Sequence, residues 1–179
     1  EAFTFKKLAQ RLNTTESSIY RYFENKHKFL LYLINWYWGW LEYEIVMSTP
    51  NLNDPRERLL RTIEILCKPV STDLKHQMLD LQLLSNIIIE EAPKIFLTKE
   101  VEADNENGLF SGYKRVVSRL AETISEANSD YKFQLTLATT VIEAINQQKF
   151  LTAHFPRMSN LSGAESSLED FMKNMIKSV

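Results

Sequence analysis

The chain has 179 residues, 44% of them hydrophobic and 11% aromatic, and carries a net charge of -2 at pH 7. That is enough apolar material to bury a sizeable core and to build one small and one medium domain, so the chain should fold. A single cysteine, Cys67, excludes an internal disulfide, no charged and apolar leader with a small-residue cleavage site opens the sequence, and the expected location is a reducing cytoplasm.

Four Gly and five Pro, with no sustained period-2 alternation, predict an all-α fold and exclude a strand–helix–strand repeat. Residues 3–28 read as two short helices around a tight turn. Leu8, Ala9 and Leu12 recur at i, i+1 and i+4, and Ile19 and Phe23 repeat that spacing, so each helix has one narrow apolar face to bury. Between them, Asn13 tolerates a left-handed backbone, and Thr15 supplies a hydroxyl that can cap the next helix. This is a helix-turn-helix pattern. The charge is uneven: residues 1–35 hold six Lys or Arg against three Glu, and the remainder holds fifteen against twenty acids. Positive charge thus collects where phosphate would be met.

A helix over residues 26–47 follows, apolar nearly all round, with Trp36, Trp38 and Trp40 near its middle; Asn35, Gly39, Glu42 and Glu44 interrupt it too soon for a bilayer span. Asp54, Pro55 and Glu57 announce the next helix, running through Leu59, Leu60, Ile63 and Leu66 to Cys67 and ended by Pro69. A helix over residues 71–91 is closed by Pro93, and the polar stretch 100–107 reads as a connection or frayed helix. Helices over 109–127 and 131–155 come next. Ser162 to Glu165 looks like a capping box for a last helix, in which Leu168, Phe171, Met172, Met175 and Ile176 make an apolar stripe.

At Phe3-Thr4, Leu8-Ala9, Thr15, the run Ile19 to Phe23, and Lys26, the chain resembles the TetR family of bacterial transcriptional regulators. The centre of the resemblance is Tyr-x-Tyr-Phe-x-x-Lys from Tyr20 to Lys26, and about 40 residues carry it. The family's usual turn glycine is Asn13 here. Its first helix has no counterpart ahead of Phe3, which implies an upstream segment in the natural protein. The resemblance implies a DNA-binding unit over residues 1–47, including the connecting helix, and a helical effector-binding and dimerisation domain over 48–179. It further implies that Thr4, Tyr20, Tyr22 and Lys26 meet backbone phosphates while Thr15, Glu16, Ser17, Ser18 and Arg21 lie nearest the bases. From charge alone, Lys6, Lys7, Arg11, Arg21, Lys26 and Lys28 can each neutralise a phosphate. Glu16 either accepts from a cytosine amine or serves as a helix N-terminal charge.

One short helix reads few base pairs, so a homodimer on double-stranded DNA is expected. The resemblance puts the contact in the last two long helices, on Val141, Ile145, Leu168, Phe171, Met172, Met175 and Ile176; alternatively the final stripe packs on its own chain. An unidentified small apolar effector is expected among Trp36, Trp40, Tyr43, Leu66, Phe110 and Tyr113, although each of these can equally be filling core volume.

Catalytic readings lack a constellation. His27, His76 and His154 are scattered, no H-E-x-x-H, paired cysteine, G-x-S-x-G or glycine-rich phosphate loop is present, and Cys67 reads as a small core residue. Asp73, His76 and Asp80 share a potential helix face, as metal ligands or as a solvated polar face. Gly108 and Gly112 suggest a helix boundary and a close packing point. No cofactor, metal or membrane partner is expected. The reading is a ligand-responsive regulator, a repressor by the family's usual mode; the alternative is a helical sensing or interaction module without DNA binding.

Overall fold

The computed structural model describes residues 3–68, 81–91, 93–161 and 165–177, and among these every regular element is a helix. The helices are α1 (Phe5–Arg11), α2 (Glu16–Tyr20), α3 (Lys26–Ser48), α4 (Pro55–Cys67), α5 (Leu81–Glu91), α6 (Pro93–Phe96), α7 (Val101–Glu106), α8 (Ser111–Ala127), α9 (Gln134–His154) and α10 (Glu165–Met175), with a 3₁₀ turn at Pro156–Met158. The all-α expectation holds. Pro69, the 71–80 part of the predicted fifth segment with Asp73, His76 and Asp80, and the Ser162 to Ala164 part of the capping box lie outside the described residues.

Local chemistry sets the boundaries. Asp54 accepts from the Arg56 amide at 2.9 Å, and Pro55 occupies the first turn of α4, where its missing N–H is no loss. Pro93 does not merely close a helix: it opens the four-residue α6, for the same reason. The polar stretch expected to connect or fray is the helix α7, and it buries a carboxylate, Asp104.

Two hydrophobic clusters divide the molecule. Phe5, Ala9 and Ile19 form the smaller, with Leu8, Phe23 and Phe29 packed on it. Leu12, expected on that apolar face, sits at the C-cap of α1 and is 61% exposed. The larger cluster runs from Leu31 in α3 to Ile176. Within it α8 packs on α3, α4 and α9, while α5 lies over α3 and α9 and α10 lies over α4 and α9. Helix α3 serves both clusters, Phe29 in one and Leu31 to Ile45 in the other.

Helices α3 and α8 approach closely at Gly112 in α8. A Cβ there would lie 3.1 Å from both the Asn35 carbonyl oxygen and the Trp38 Cβ. The Asn35 side chain spans the same contact, its Nδ2 donating to the Leu109 carbonyl and its Oδ1 accepting from the Gly112 amide at 3.3 Å. Gly108, at φ 75°, makes the preceding turn, so the two glycines do different jobs.

Burial revises the expected dimer set. Val141, Ile145, Leu168, Met172 and Ile176 are no more than 6% exposed in the single chain. They pack into their own core, where α10 lies across α4 and α9. Phe171, at 45% exposure, is open to solvent, while the half-buried Met175 packs against the large cluster.

Glu42 in α3 accepts from Arg115 Nε at 2.6 Å and Arg119 Nε at 3.2 Å, both from α8. Burial pulls this carboxyl up, but the two guanidiniums outweigh it and hold the group below the ordinary 4.5. A depressed folded-state value contributes stability above the unfolded value that is lost as pH falls through the folded one. Glu42→Gln should therefore lose about 1 kcal/mol at pH 7, kept small because both arginines are half-exposed, and the gap to wild type should close below about pH 4 in urea unfolding. Gly112→Val, which drives two methyls into backbone, should cost roughly 2 kcal/mol in the same assay at any pH between 5 and 8.

Candidate nucleic-acid interface

A five-residue helix has no stability of its own, so α2 must be held by its ends and its buried side. Asn13 takes φ 50° and turns the chain out of α1, as a short polar side chain can at modest cost. Thr15 then caps α2: its Oγ1 accepts from the Ser18 amide at 3.2 Å and lies 2.9 Å from Ser17 Oγ and 2.8 Å from Ser18 Oγ. Glu16 sits exposed in the first turn, where a carboxylate complements the helix dipole. The helix ends at Tyr20, earlier than the sequence pattern suggests. Arg21 and Tyr22 form the turn that follows, with the Tyr22 and Phe23 amides both donating to the Ile19 carbonyl at 3.0 Å.

Aromatic rings fasten this unit to α3. Phe29 stacks on Phe3 at 5.6 Å between centroids and meets Phe5 and Phe23 edge-on at 6.0 and 4.9 Å; Phe5 also meets Tyr20 at 5.0 Å. Phe29 was not singled out by periodicity, because its partners are far apart in sequence. Asn25 caps α3 by accepting from the Lys28 amide at 2.9 Å, a feature that its position before an apolar run could have disclosed.

With the unit fixed, its outer surface is defined. Thr15, Glu16, Ser17, Tyr20, Arg21, Tyr22 and Lys26 are exposed, Tyr22 to 81%, and Ser18 is half-buried beneath them. Lys6 and Arg11 are also exposed, on α1. Thr4 is half-buried and caps α1, its Oγ1 accepting from the Lys7 amide at 3.2 Å. The surface thus combines hydroxyls on a helix end with flanking cations, the chemistry that touches base edges and phosphates respectively. Lys28 departs from the expectation: its ammonium is bonded to the buried Asp104 of α7, not offered to phosphate.

Asp104 is 1% exposed and anchors the junction between this unit and the helical body. One carboxylate oxygen takes the Lys28 ammonium and the other lies 2.6 Å from His27 Nε2, with Glu100 3.7 Å from the same nitrogen. Burial pulls Asp104 upward, yet Lys28 and His27 outweigh it and hold the carboxyl below its usual range.

The six residues expected around an effector are not brought together. Trp36 leans on Tyr32 at 6.3 Å and is 47% exposed, and Tyr43 is 55% exposed. Phe110 and Leu66 are in the core, Phe110 stacked on Phe96 at 5.1 Å. Tyr113 meets Trp38 at 5.1 Å and donates to Glu143 at 3.2 Å, and Trp40 packs on the core edge. The open volumes lie elsewhere, one of about 380 Å³ edged by Cys67, Ser85, Ile89, Lys149 and Phe150, another of about 370 Å³ on the far side of Ile89, Glu90 and Phe150. Burial pushes the Cys67 thiol up to about 12, so it stays protonated at neutral pH.

A helix-turn-helix with a capped, solvent-facing second helix, set on an all-α body, defines a helix-turn-helix DNA-binding protein. Residues 1–33 match the family model for bacterial regulatory proteins of the tetR family, which supports a DNA-binding transcriptional regulator. No curated protein and no solved structure matches the chain. Among the described residues no helix is long and apolar enough to cross a membrane.

Thr15→Ala removes the cap of so short a helix and should lower stability by about 1 kcal/mol while weakening DNA binding further than that loss alone; Thr15→Ser should restore both, measured by thermal unfolding and fluorescence anisotropy.

Proposed function

We propose that this chain is a ligand-responsive repressor that binds a palindromic operator as a homodimer. The observation that carries the reading is the outward face of α2, with Thr15, Ser17 and Tyr20 exposed and followed by the exposed cations Arg21 and Lys26. Thr15, Glu16, Ser17, Ser18 and Arg21 read bases, and Thr4, Lys6, Tyr20, Tyr22 and Lys26 position the backbone. A helix this short contacts only a few base pairs, so two copies one DNA turn apart supply the affinity, and twofold symmetry in the protein matches a palindrome in the DNA.

The two chains meet through the outer sides of α9 and α10, where Phe171 is exposed. The effector is a small, largely apolar molecule seated between α5 and α9, in the cavities that share Ile89 and Phe150. Their volumes, about 380 and 370 Å³, suit a small organic ligand. Because α5 packs on α3, a ligand that displaces α5 biases the helix that carries the DNA-reading unit. A coupling of about 1–3 kcal/mol is enough for a switch of several-fold to about a hundredfold.

The test is anisotropy of the full chain with random-sequence duplex DNA at 50 and 200 mM salt. Affinity should fall steeply with salt, and Lys26→Ala should reduce the slope by about one phosphate contact per subunit. Phe171→Glu should give a folded monomer in sedimentation and lose the tight component. Absence of salt-sensitive binding by the wild-type chain would refute the assignment of α2 as the DNA-reading helix.

A further inference from the structure

We propose that His27, Asp104 and Glu100 form a binding site for a borderline divalent cation such as Zn²⁺, at the junction of α3 with α7. Imidazole and carboxylate together are the donor set such an ion prefers, and His27 Nε2, one Asp104 oxygen and one Glu100 oxygen all lie within 4.8 Å of one another.

The geometry suits a shared central ion. Zn²⁺ holds nitrogen and oxygen donors at about 2.0–2.2 Å, which puts donors of one tetrahedron about 3.3 Å apart. The observed separations from His27 Nε2, 2.6 Å to Asp104 and 3.7 Å to Glu100, lie on either side of that figure. The ion takes the place of the proton between His27 and Asp104, and adjustments of less than about 1 Å from the observed 2.6 and 3.7 Å fall within side-chain rotation. Glu100, the residue that precedes α7 as its N-cap, and Asp104 within α7 are four residues apart and both reach His27, which comes from the first turn of α3. Three protein ligands leave one position for water.

The surroundings favour a fixed site. Asp104 is buried, and its other oxygen is tied to the Lys28 ammonium, which sets the carboxylate's orientation as an outer-shell partner does in metal sites. Lys28 also leaves the trio with a single net negative charge when His27 is neutral, so a divalent ion is attracted without a large charge imbalance. Since α3 leads straight out of the DNA-reading helices and α7 belongs to the body, the ion clamps one to the other. That consequence rests on the DNA-binding reading, whereas the site itself does not.

The experiment is a calorimetric titration of chelator-stripped full chain with ZnCl₂ in the absence of DNA, with MgCl₂ as the comparison ion and Co²⁺ absorption as a report on coordination. One Zn²⁺ per chain should bind, Mg²⁺ should bind far more weakly, and Co²⁺ should give a visible band of low-coordinate nitrogen and oxygen ligation. His27→Gln should abolish uptake, and Glu100→Gln, a change at an exposed side chain that leaves the fold intact by circular dichroism, should weaken it at least tenfold. Failure of the folded wild type to take up Zn²⁺ would overturn the proposal, and so would unchanged affinity in His27→Gln. Because no DNA is present, either result is independent of the outcome for the DNA-reading helix.

Discussion

Helix α3 belongs to two cores at once, and the rest of the molecule is arranged around that fact. Its first turn gives Phe29 to the small aromatic cluster that fixes α1 and α2, and from Leu31 to Ile45 it gives a continuous inner face to the large cluster. A rigid rod anchored in both transmits displacement with little loss, because close-packed side chains do not yield continuously. Among the described residues, α1 and α2 pack chiefly on each other and make no extensive contact with the helices of the body. They ride on α3, steadied by Phe29 on one side and by the Lys28 and His27 contacts to Asp104 on the other.

The buried Asp104 gives that junction its specificity. A carboxylate in a protein interior is tolerated only when its oxygens are satisfied, and here each has a partner from α3. Any movement of α3 against α7 that parts these groups leaves a buried charge unpaired, so the junction favours discrete arrangements over gradual sliding. The Asn35 bridge to Leu109 and Gly112 does the same work without charge further along α3. Polar contacts set the register of α3, and apolar packing supplies the bulk of its stability.

Much of this was legible before any coordinates. The Thr15 cap, the left-handed Asn13, the Asp54-Pro55 start of α4 and the division of labour between Gly108 and Gly112 are local events, governed by residues within a turn of each other. The exposed face of α2 was legible for the same reason, since periodicity says which side of a short helix is apolar. What periodicity left open was which apolar face meets which. The stripe of Leu168, Met172 and Ile176 is apolar whether it covers a neighbouring chain or its own α4 and α9, and periodicity alone cannot choose. Trp36, Tyr43 and Phe110 likewise have the composition of a cavity wall, yet one leans on Tyr32, one faces solvent and one stacks on Phe96.

From the residues alone came the all-α class, the helix-turn-helix and the cations around it, because helical spacing, capping hydroxyls and breakers act over three or four positions. Only the tertiary structure decided that Lys28 turns inward, that a polar stretch forms α7 and buries Asp104, and that open volume lies between α5 and α9. Those outcomes depend on side chains far apart in the chain, 76 positions for Lys28 and Asp104, and such a meeting is settled by packing of the whole chain.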